Sequence, residues 1–195
     1  MISASLKAQL KVNSSKAKTY KILFVGNSLT YSNNLPLLVS QAASHEKINL
    51  STEMLAKPNY ALIDHWDEGE LQAKISSKSF DFVIVQQGPS SQAEGRALLF
   101  KYGKKIAALC KTNKTQLVFF MVWPSLQYYQ TFDGVIVNYR EAALENDALL
   151  CPVGEVWKSH FEETENFDYY GSDGFHPSLK GSRVAADIIV SSLLN

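Results

Sequence analysis

The sequence predicts an α/β protein in which a five-stranded parallel sheet lies between two layers of helices. Short apolar runs alternate with longer segments of helical spacing, which is typical of consecutive βαβ units. Several of these runs are continuously apolar, as expected of strands buried on both faces. The chain has 195 residues, 46% of them hydrophobic, enough for one full core. Because crossovers between parallel strands are right-handed, we expect a three-layer sandwich with strand order 2-1-3-4-5.

The predicted elements follow one another along the chain with short connections. Strands are predicted at residues 20–26, 48–55, 80–86, 116–123 and 149–154. Helices are predicted at residues 35–46, 93–111, 135–148 and 178–194, with an irregular helical segment over 60–76. Pro36 suits the first turn of its helix, whereas Gly181 is expected to weaken the last helix slightly. The polar residues 1–18 are predicted to form an arm outside a single domain that spans residues 19–195.

Composition excludes several classes of function. The 19 Lys and Arg residues balance the 19 Asp and Glu residues, which argues against a nucleic-acid partner because such proteins need a basic face. No apolar run is long enough to predict a membrane span, and the N-terminal segment lacks the apolar centre of a signal peptide. A cytoplasmic location is therefore the default expectation, although an exported protein trimmed of its signal would look the same. The oligomeric state is not indicated.

The sequence contains no pattern typical of a cofactor or metal site. Neither a Gly-rich phosphate loop nor a metal-ligand spacing is present, so we expect the protein to need no cofactor and no metal. Cys110 and Cys151 each lie in or beside an apolar run and are predicted to be buried free thiols. A disulfide between them is the less favoured alternative.

A Gly-Asn-Ser sequence closes the first predicted strand, in the segment "VGNSLT" that contains Gly26, Asn27 and Ser28. In a doubly wound sheet, ligands bind beyond the carboxyl ends of the strands, beside the first strand. Ser28 is therefore either a turn residue or a nucleophile. A serine hydroxyl becomes a good nucleophile only when a neighbouring base takes its proton, so the choice depends on whether the chain offers such a base.

The segment "DGFHPS", just before the last helix, offers that base. Asp173 precedes His176 by three residues, so its carboxylate can accept a hydrogen bond from one ring nitrogen while the other faces a hydroxyl. By itself the segment would suit a helix-capping loop with a surface histidine. Of the remaining histidines, His65 is predicted to be structural or at the rim of the site, and His45 and His160 to lie on helix surfaces. Because both loops open on the same edge of the sheet, we expect a Ser-His-Asp triad.

These two segments resemble the first and last conserved blocks of the SGNH/GDSL hydrolases, which are Gly-Asp-Ser-Leu and Asp-x-x-His. The resemblance covers residues 20–194. Asn27 stands where the commonest form has Asp, which is similar to a GNS-type branch of the family. The resemblance implies a flavodoxin-like fold and a carboxylic ester hydrolase, since members are esterases, lipases, thioesterases and carbohydrate deacetylases. It also implies that Ser28 is the nucleophile, His176 the general base and acid, and Asp173 the carboxylate that orients it.

The middle blocks of the family, which supply the oxyanion hole, are altered in this sequence. No glycine follows the second strand, and Asn59 is the best replacement because Asn tolerates a left-handed backbone. The third block is usually Gly-x-Asn-Asp; here Gly88 aligns with its glycine, and Ser90 falls where the asparagine is expected. A glutamine amide can donate the same hydrogen bond. Gln86 and Gln87 are consecutive, so only one easily faces the site, and Gln87 is favoured.

Aromatic residues in loops near the predicted strand ends either pack in the core or line a cleft for sugar or aryl groups. They are Trp66, Trp123, Tyr128, Tyr129, Tyr169 and Tyr170. The resemblance predicts a serine esterase that acts through an acyl-enzyme, and the lack of a long apolar lid segment in the sequence favours short-chain esters. Its substrate is expected to be a small-molecule or saccharide ester, with carbohydrate O-acetyl groups among the candidates. The alternatives are an acyltransferase that uses the same triad and a non-catalytic carbohydrate- or ligand-binding member of the family.

Overall fold

The computed structural model describes residues 18–77 and 79–194, so all but the last residue of the predicted arm lies outside the described residues. The strands are β1 Thr19–Gly26, β2 Asn49–Ala56, β3 Phe82–Val85, β4 Gln116–Phe120 and β5 Leu149–Cys151. The α-helices are α1 Ser28–Tyr31, α2 Leu35–His45, α3 Leu62–Glu68, α4 Glu70–Ser77, α5 Ala93–Thr112, α6 Phe132–Glu145, α7 Val153–Thr164 and α8 Leu179–Leu194. Short 3₁₀ segments cover Ser32–Asn34 and Leu126–Thr131.

The five strands form one parallel sheet in the order β2-β1-β3-β4-β5, which confirms the predicted fold class and topology. β1 and β3 are buried over almost their whole length, as their continuous apolar sequences predict. Val25 of β1 pairs with Val85 of β3. The loops that follow these two strands therefore start side by side, at the carboxyl edge of the sheet.

Two groups of helices cover the sheet. α2 packs against α8 and β2, and α8 also packs against β5. In the second group α5 lies between α3 and α6 and packs on β4. Both predicted free thiols, Cys110 and Cys151, are buried and unpaired. Among the described residues, no helix combines the length and the apolar character needed to cross a bilayer.

Several predicted elements differ in extent from the structure, most clearly the segment 60–76 and the fourth strand. The segment 60–76 forms two helices, because Gly69 adopts φ +81° and ends α3 before α4 begins. The fourth strand ends at Phe120, although the apolar run continues to Trp123. The three remaining residues are fully buried, and the Met121 N–H still donates to the Cys151 carbonyl of β5 at 3.0 Å.

Helix α7 is absent from the elements predicted above, where residues 149–154 are assigned to the fifth strand. Its signal is the four-residue spacing of Val153, Trp157 and Phe161, all of which are buried. This spacing places the three side chains on one helix face. The strand occupies only three residues before Pro152, so the apolar run belongs partly to the strand and partly to the helix.

Candidate catalytic site

Ser28 is the first residue of α1 and follows β1 after a single intervening residue, Asn27. The Asn27 side chain caps the helix, since its Oδ1 accepts a hydrogen bond from the Leu29 N–H at 3.1 Å. Its Nδ2 donates to the Tyr60 carbonyl at 3.0 Å. The first N–H groups of a helix have no acceptor within the helix. The Ser28 N–H is therefore presented at the carboxyl edge of the sheet together with the hydroxyl.

The structure brings Ser28, His176 and Asp173 together in one hydrogen-bonded chain. The Ser28 hydroxyl lies 2.9 Å from His176 Nε2, and His176 Nδ1 lies 2.6 Å from Asp173 Oδ2. In the arrangement that suits both contacts, Nδ1–H donates to the carboxylate and Nε2 accepts from the hydroxyl. The hydrogen bond from His176, and next the one from the Phe175 N–H, lower the pKa of Asp173. The carboxylate thus stays ionised and holds the ring in this tautomer.

The loop that carries the Asp–His pair is docked on the segment that follows β4. Trp123 Nε1 donates to the Phe175 carbonyl at 2.9 Å, and the Leu126 N–H donates to the Gly174 carbonyl at 2.7 Å. Gly174 adopts φ +67°, a left-handed conformation that glycine takes at little cost. These contacts hold the loop of Asp173 and His176 against the residues that follow β4. They therefore help to set the distance between His176 and Ser28.

Gln86 packs directly beneath the turn that carries the serine. Its Oε1 accepts hydrogen bonds from the Asn27 N–H at 3.0 Å and from the Thr30 hydroxyl at 2.9 Å. Its Nε2 donates to the Gln87 carbonyl at 2.7 Å. A Cβ atom at Gly26 would overlap both Thr30 Oγ1 and Gln86 Oε1. The Gln86 amide and the Thr30 hydroxyl thus fill the space that a side chain at position 26 would need. This explains why the residue before Asn27 and Ser28 is glycine.

Gln87 faces the opposite side of the sheet, as the alternation along a strand requires. Its Oε1 accepts from the Leu62 N–H at 2.9 Å, and its Nε2 donates to the Gly95 carbonyl at 3.2 Å. These bonds join β3 to α3 and α5. The contacts therefore do not support the expectation that Gln87, or its neighbour Gln86, turns its amide toward an oxyanion. Both side chains instead satisfy groups of the protein that would otherwise be buried without partners.

Asn59 adopts φ +60°, the left-handed conformation for which its residue type was singled out. It lies exposed in the loop after β2, which is joined to the serine turn because the Lys57 N–H donates to the Gly26 carbonyl at 3.2 Å. Ser90 also has a left-handed backbone, φ +59°, and its hydroxyl donates to the Gly88 carbonyl at 2.8 Å. Its hydroxyl is thus engaged within its own loop.

Solved structures show which known proteins share this architecture. A candidate SGNH hydrolase from Slackia heliotrinireducens superposes with a TM-score of 0.76 at 23% identity, over 90% of this chain and 99% of that chain. This chain has the SGNH hydrolase fold. A lipase/acylhydrolase from Enterococcus faecalis gives 0.72 at 13% identity, over 90% of this chain and 95% of that one. A catalytic mutant of an acetylxylan esterase from Geobacillus stearothermophilus gives 0.70 at 14% identity, over 94% and 96%.

The resemblance found in the sequence is thus confirmed for the SGNH fold, and the GNS-type branch stays a prediction. No protein-family model and no curated protein sequence matches this chain. In the described part of the chain, no group of three or more His, Cys, Asp or Glu side chains could hold a metal ion.

His65 lies behind the serine turn of this SGNH fold and is 1% exposed. Its Nε2 lies 2.7 Å from the Gly26 carbonyl and donates to it, while Nδ1 has no hydrogen-bond partner among the described residues. Burial lowers the pKa of His65, and the bond to Gly26 opposes this effect only in part. The histidine is therefore held neutral in the core. Of the two roles predicted for it, structural or at the rim of the site, its burial fits the structural one.

A cavity of about 580 Å³ opens between the loops that follow β3 and β4. It is lined by Pro89, Ser90, Ser91, Gln92, Gly95, Pro124, Ser125, Tyr128, Thr131 and Phe175. Phe175 is the residue before His176, so the cavity and the Asp173–His176 pair share one loop. Of the aromatic residues predicted to line a cleft, Tyr128 is 56% exposed and does so, whereas Trp123, Tyr169 and Tyr170 are buried in the core.

Proposed function

We propose that the protein is a serine esterase that cleaves carboxylic esters through an acyl-enzyme on Ser28. The observation that carries the proposal is the hydrogen-bonded chain from the Ser28 hydroxyl through His176 to Asp173, at 2.9 and 2.6 Å. A serine, a base and a carboxylate in this order are the parts that activate a hydroxyl for attack on a carbonyl. Hydrolases of esters and lipids are among the solved proteins that share the fold.

In this mechanism His176 transfers one proton in each half of the reaction. Its Nε2 takes the proton of the Ser28 hydroxyl while Oγ attacks the ester carbonyl, and the Asp173 carboxylate stabilises the imidazolium that forms. The proton then passes to the leaving alcohol, and the acyl group remains on Oγ. In the second half, His176 takes a proton from water as the water attacks the acyl-enzyme. His176 then gives that proton to Oγ, which restores the Ser28 hydroxyl as the acid leaves.

The negative charge on the carbonyl oxygen is stabilised by backbone N–H groups in this proposal. The Ser28 N–H has no acceptor within its helix, and the loop of Asn59 lies beside the serine turn through the bond from Lys57 to Gly26. We assign the donors to the backbone of Ser28 and to Asn59. The loss of one donor typically costs about 10²–10³-fold in rate, so a hole without the usual asparagine suits a slower enzyme.

The proposed substrates are esters of short acyl chains, with carbohydrate O-acetyl groups as the first class to test. The cavity has a volume of about 580 Å³, and Tyr128 offers an exposed aromatic face of the kind that stacks on sugars. The second candidate is an ester of a longer acyl chain, which the apolar wall of Pro89, Pro124 and Phe175 favours. Values of kcat/KM for acetyl, butyryl and octanoyl p-nitrophenyl esters distinguish them, and a maximum at octanoyl would reject the short-chain proposal.

Labelling with a fluorophosphonate tests the serine directly. We expect the probe to add once to the wild-type protein and the adduct to map to Ser28 by peptide mass spectrometry. The Ser28→Ala variant should neither react nor hydrolyse p-nitrophenyl acetate. Ser125→Ala is the matched control, because this serine lines the cavity without taking part in the triad. A wild-type protein that neither reacts with the probe nor cleaves the ester would instead support the non-catalytic alternative.

A further inference from the structure

Gln86 occupies a buried position that the proposed mechanism does not use. It is the first residue after β3, is 1% exposed, and its backbone N–H donates to the Val25 carbonyl of β1 at 2.8 Å. Burying an amide costs free energy unless its polar atoms are hydrogen-bonded. The partners of this amide therefore indicate what the residue does.

The amide oxygen receives two donors that lie on either side of the nucleophile. One is the N–H of Asn27, the residue before Ser28, and the other is the hydroxyl of Thr30, two residues after it. The amide nitrogen donates to the Gln87 carbonyl. An amide oxygen only accepts and an amide nitrogen only donates, so these three partners permit a single orientation of the side chain.

We infer that Gln86 is a positioning residue that holds the serine turn in its reactive geometry, an inference that rests on the proposed esterase function. The amide engages the Asn27 N–H, which leaves the Ser28 N–H as the group of the turn that can face the oxyanion. It also fixes both ends of the segment from Asn27 to Thr30. The Ser28 hydroxyl is then kept at 2.9 Å from His176 Nε2.

The absence of a side chain at Gly26 supports this role. The amide oxygen of Gln86 and the hydroxyl oxygen of Thr30 fill the space in which a Cβ atom at this position would lie. The glycine of the motif and the buried glutamine therefore form one unit, in which the small residue makes room for the amide. A residue that acts through the nucleophile alone should alter kcat and leave KM nearly unchanged.

The test removes the hydrogen bonds of Gln86 in two independent ways. Gln86→Met keeps a similar volume and loses all three bonds, and Thr30→Val loses one of them. Because a misplacement of about 1 Å can cost on the order of 10²-fold, we expect Gln86→Met to lower kcat on p-nitrophenyl acetate by at least about tenfold. The rate of fluorophosphonate labelling should fall in proportion, while KM stays within about threefold. Thr30→Val should show a smaller loss of kcat, and Thr30→Ser, which keeps the hydroxyl, should retain the wild-type value.

Thr115→Val is the matched control. Thr115 is also a buried threonine whose hydroxyl donates to a carbonyl, that of Phe80 at 2.9 Å, but it precedes β4 at the opposite edge of the sheet. We expect Thr115→Val and Thr30→Val to lower the melting temperature by similar amounts. Thr115→Val should leave kcat unchanged.

Three results would overturn the inference. The first is a kcat within about threefold of wild type in folded Gln86→Met and Thr30→Val, and the second is an equal loss of kcat in Thr115→Val. The third is a wild-type protein that neither labels nor hydrolyses. That result would contradict the proposed function itself, and it is distinguished from the other two because it appears before any variant is made.

Discussion

Asp173 uses both carboxylate oxygens to hold His176. Oδ1 accepts from the N–H groups of Phe175 and His176 at 2.9 Å each, and Oδ2 accepts from the histidine ring at 2.6 Å. The first two bonds fix the carboxylate relative to the backbone, so the third fixes the ring. A single residue therefore sets the tautomer and the orientation of the His176 ring.

Replacement of this carboxylate by an amide should remove its charge while nearly preserving its shape. We expect Asp173→Asn to lower kcat by roughly 10²–10⁴-fold, the usual contribution of a positioned acid–base group, with little change in KM. Asp133→Asn serves as the control, because Asp133 is an 80% exposed carboxylate paired with Lys158. Steady-state kinetics on p-nitrophenyl acetate provide the measurement. A kcat within about tenfold of wild type would show that Asp173 does not act through the histidine.

His65 should make the stability of the protein depend on pH. Burial lowers its pKa in the folded state, whereas the unfolded chain has the ordinary value near 6.5. Between the two values only the unfolded chain binds the proton, so unfolding takes up a proton and becomes more favourable as the pH falls. The stability contributed by the neutral ring is complete above pH of about 6.5 and is lost below it.

Denaturant unfolding at several pH values tests this prediction. The free energy of unfolding of His65→Gln should decline less steeply than that of wild type as the pH is lowered from about 7 to 5. His45→Gln, which removes an exposed histidine from the last turn of α2, should follow the wild-type curve. Parallel curves for wild type and His65→Gln would refute the prediction.

At the scale of elements, α8 rests closely on α7 and on the segment that leads to the catalytic loop. A Cβ atom at Gly181, the third residue of α8, would overlap the Tyr169 carbonyl and lie 2.7 Å from the Trp157 ring. From the sequence alone, this glycine is expected only to weaken the helix. These close contacts show that the lack of a side chain at Gly181 lets α8 approach Trp157 and Tyr169.

Gly181→Ala should therefore destabilise the protein, although alanine favours a helix more than glycine does. Overpacking of this kind typically costs about 1–3 kcal/mol, to be measured by denaturant unfolding. Gly134→Ala is a close control, since Gly134 is likewise the third residue of its helix, α6. A Cβ atom there would meet Ser91 O at an ordinary 3.4 Å, and we expect no loss of stability. Equal stability of the two variants would contradict the packing argument.

Strands β1, β3 and β4 were predictable from the sequence because burial on both faces leaves a continuous apolar run, whereas β2 has alternating residues and is only partly buried. The two halves of the triad were predictable because each lies in a short segment whose residue types suit one chemistry. The direction of Gln86 and Gln87 was not predictable. Their alternation was evident, but the choice of face depends on donors such as the Leu62 N–H that come from distant elements. Helix α7 was missed because its apolar spacing begins directly after a strand of three residues.

At the scale of the whole molecule, the fold joins the two ends of the domain. Ser28 and His176 are 148 residues apart in sequence, and the cavity that shares the loop of Phe175 has walls from the loops that follow β3 and β4. We propose that those two loops select the substrate and that the loops after β1 and before α8 carry out the chemistry. The two functions should respond to different substitutions.

Tyr128 offers a test of that division. It is 56% exposed at the wall of the cavity, where its ring can stack on a bound ring. Stacking contributes roughly 0.5–1.5 kcal/mol, so Tyr128→Ala should raise KM for an acetylated xylo-oligosaccharide about three- to tenfold and leave kcat nearly unchanged. Tyr31→Ala, a half-buried tyrosine outside the cavity lining, is the control. An unchanged KM in Tyr128→Ala would place the sugar elsewhere.

The exposure of the triad has a consequence for the fate of the acyl group. The side chains of His176 and Asp173 are 41% and 51% exposed, so the bulk solvent reaches the base directly. Water would therefore have access to an acyl group on Ser28 throughout the lifetime of the acyl-enzyme. An alcohol would compete with water for the acyl group only if the cavity held that alcohol in place. In aqueous solution without such an acceptor, the free acid should be the product that accumulates.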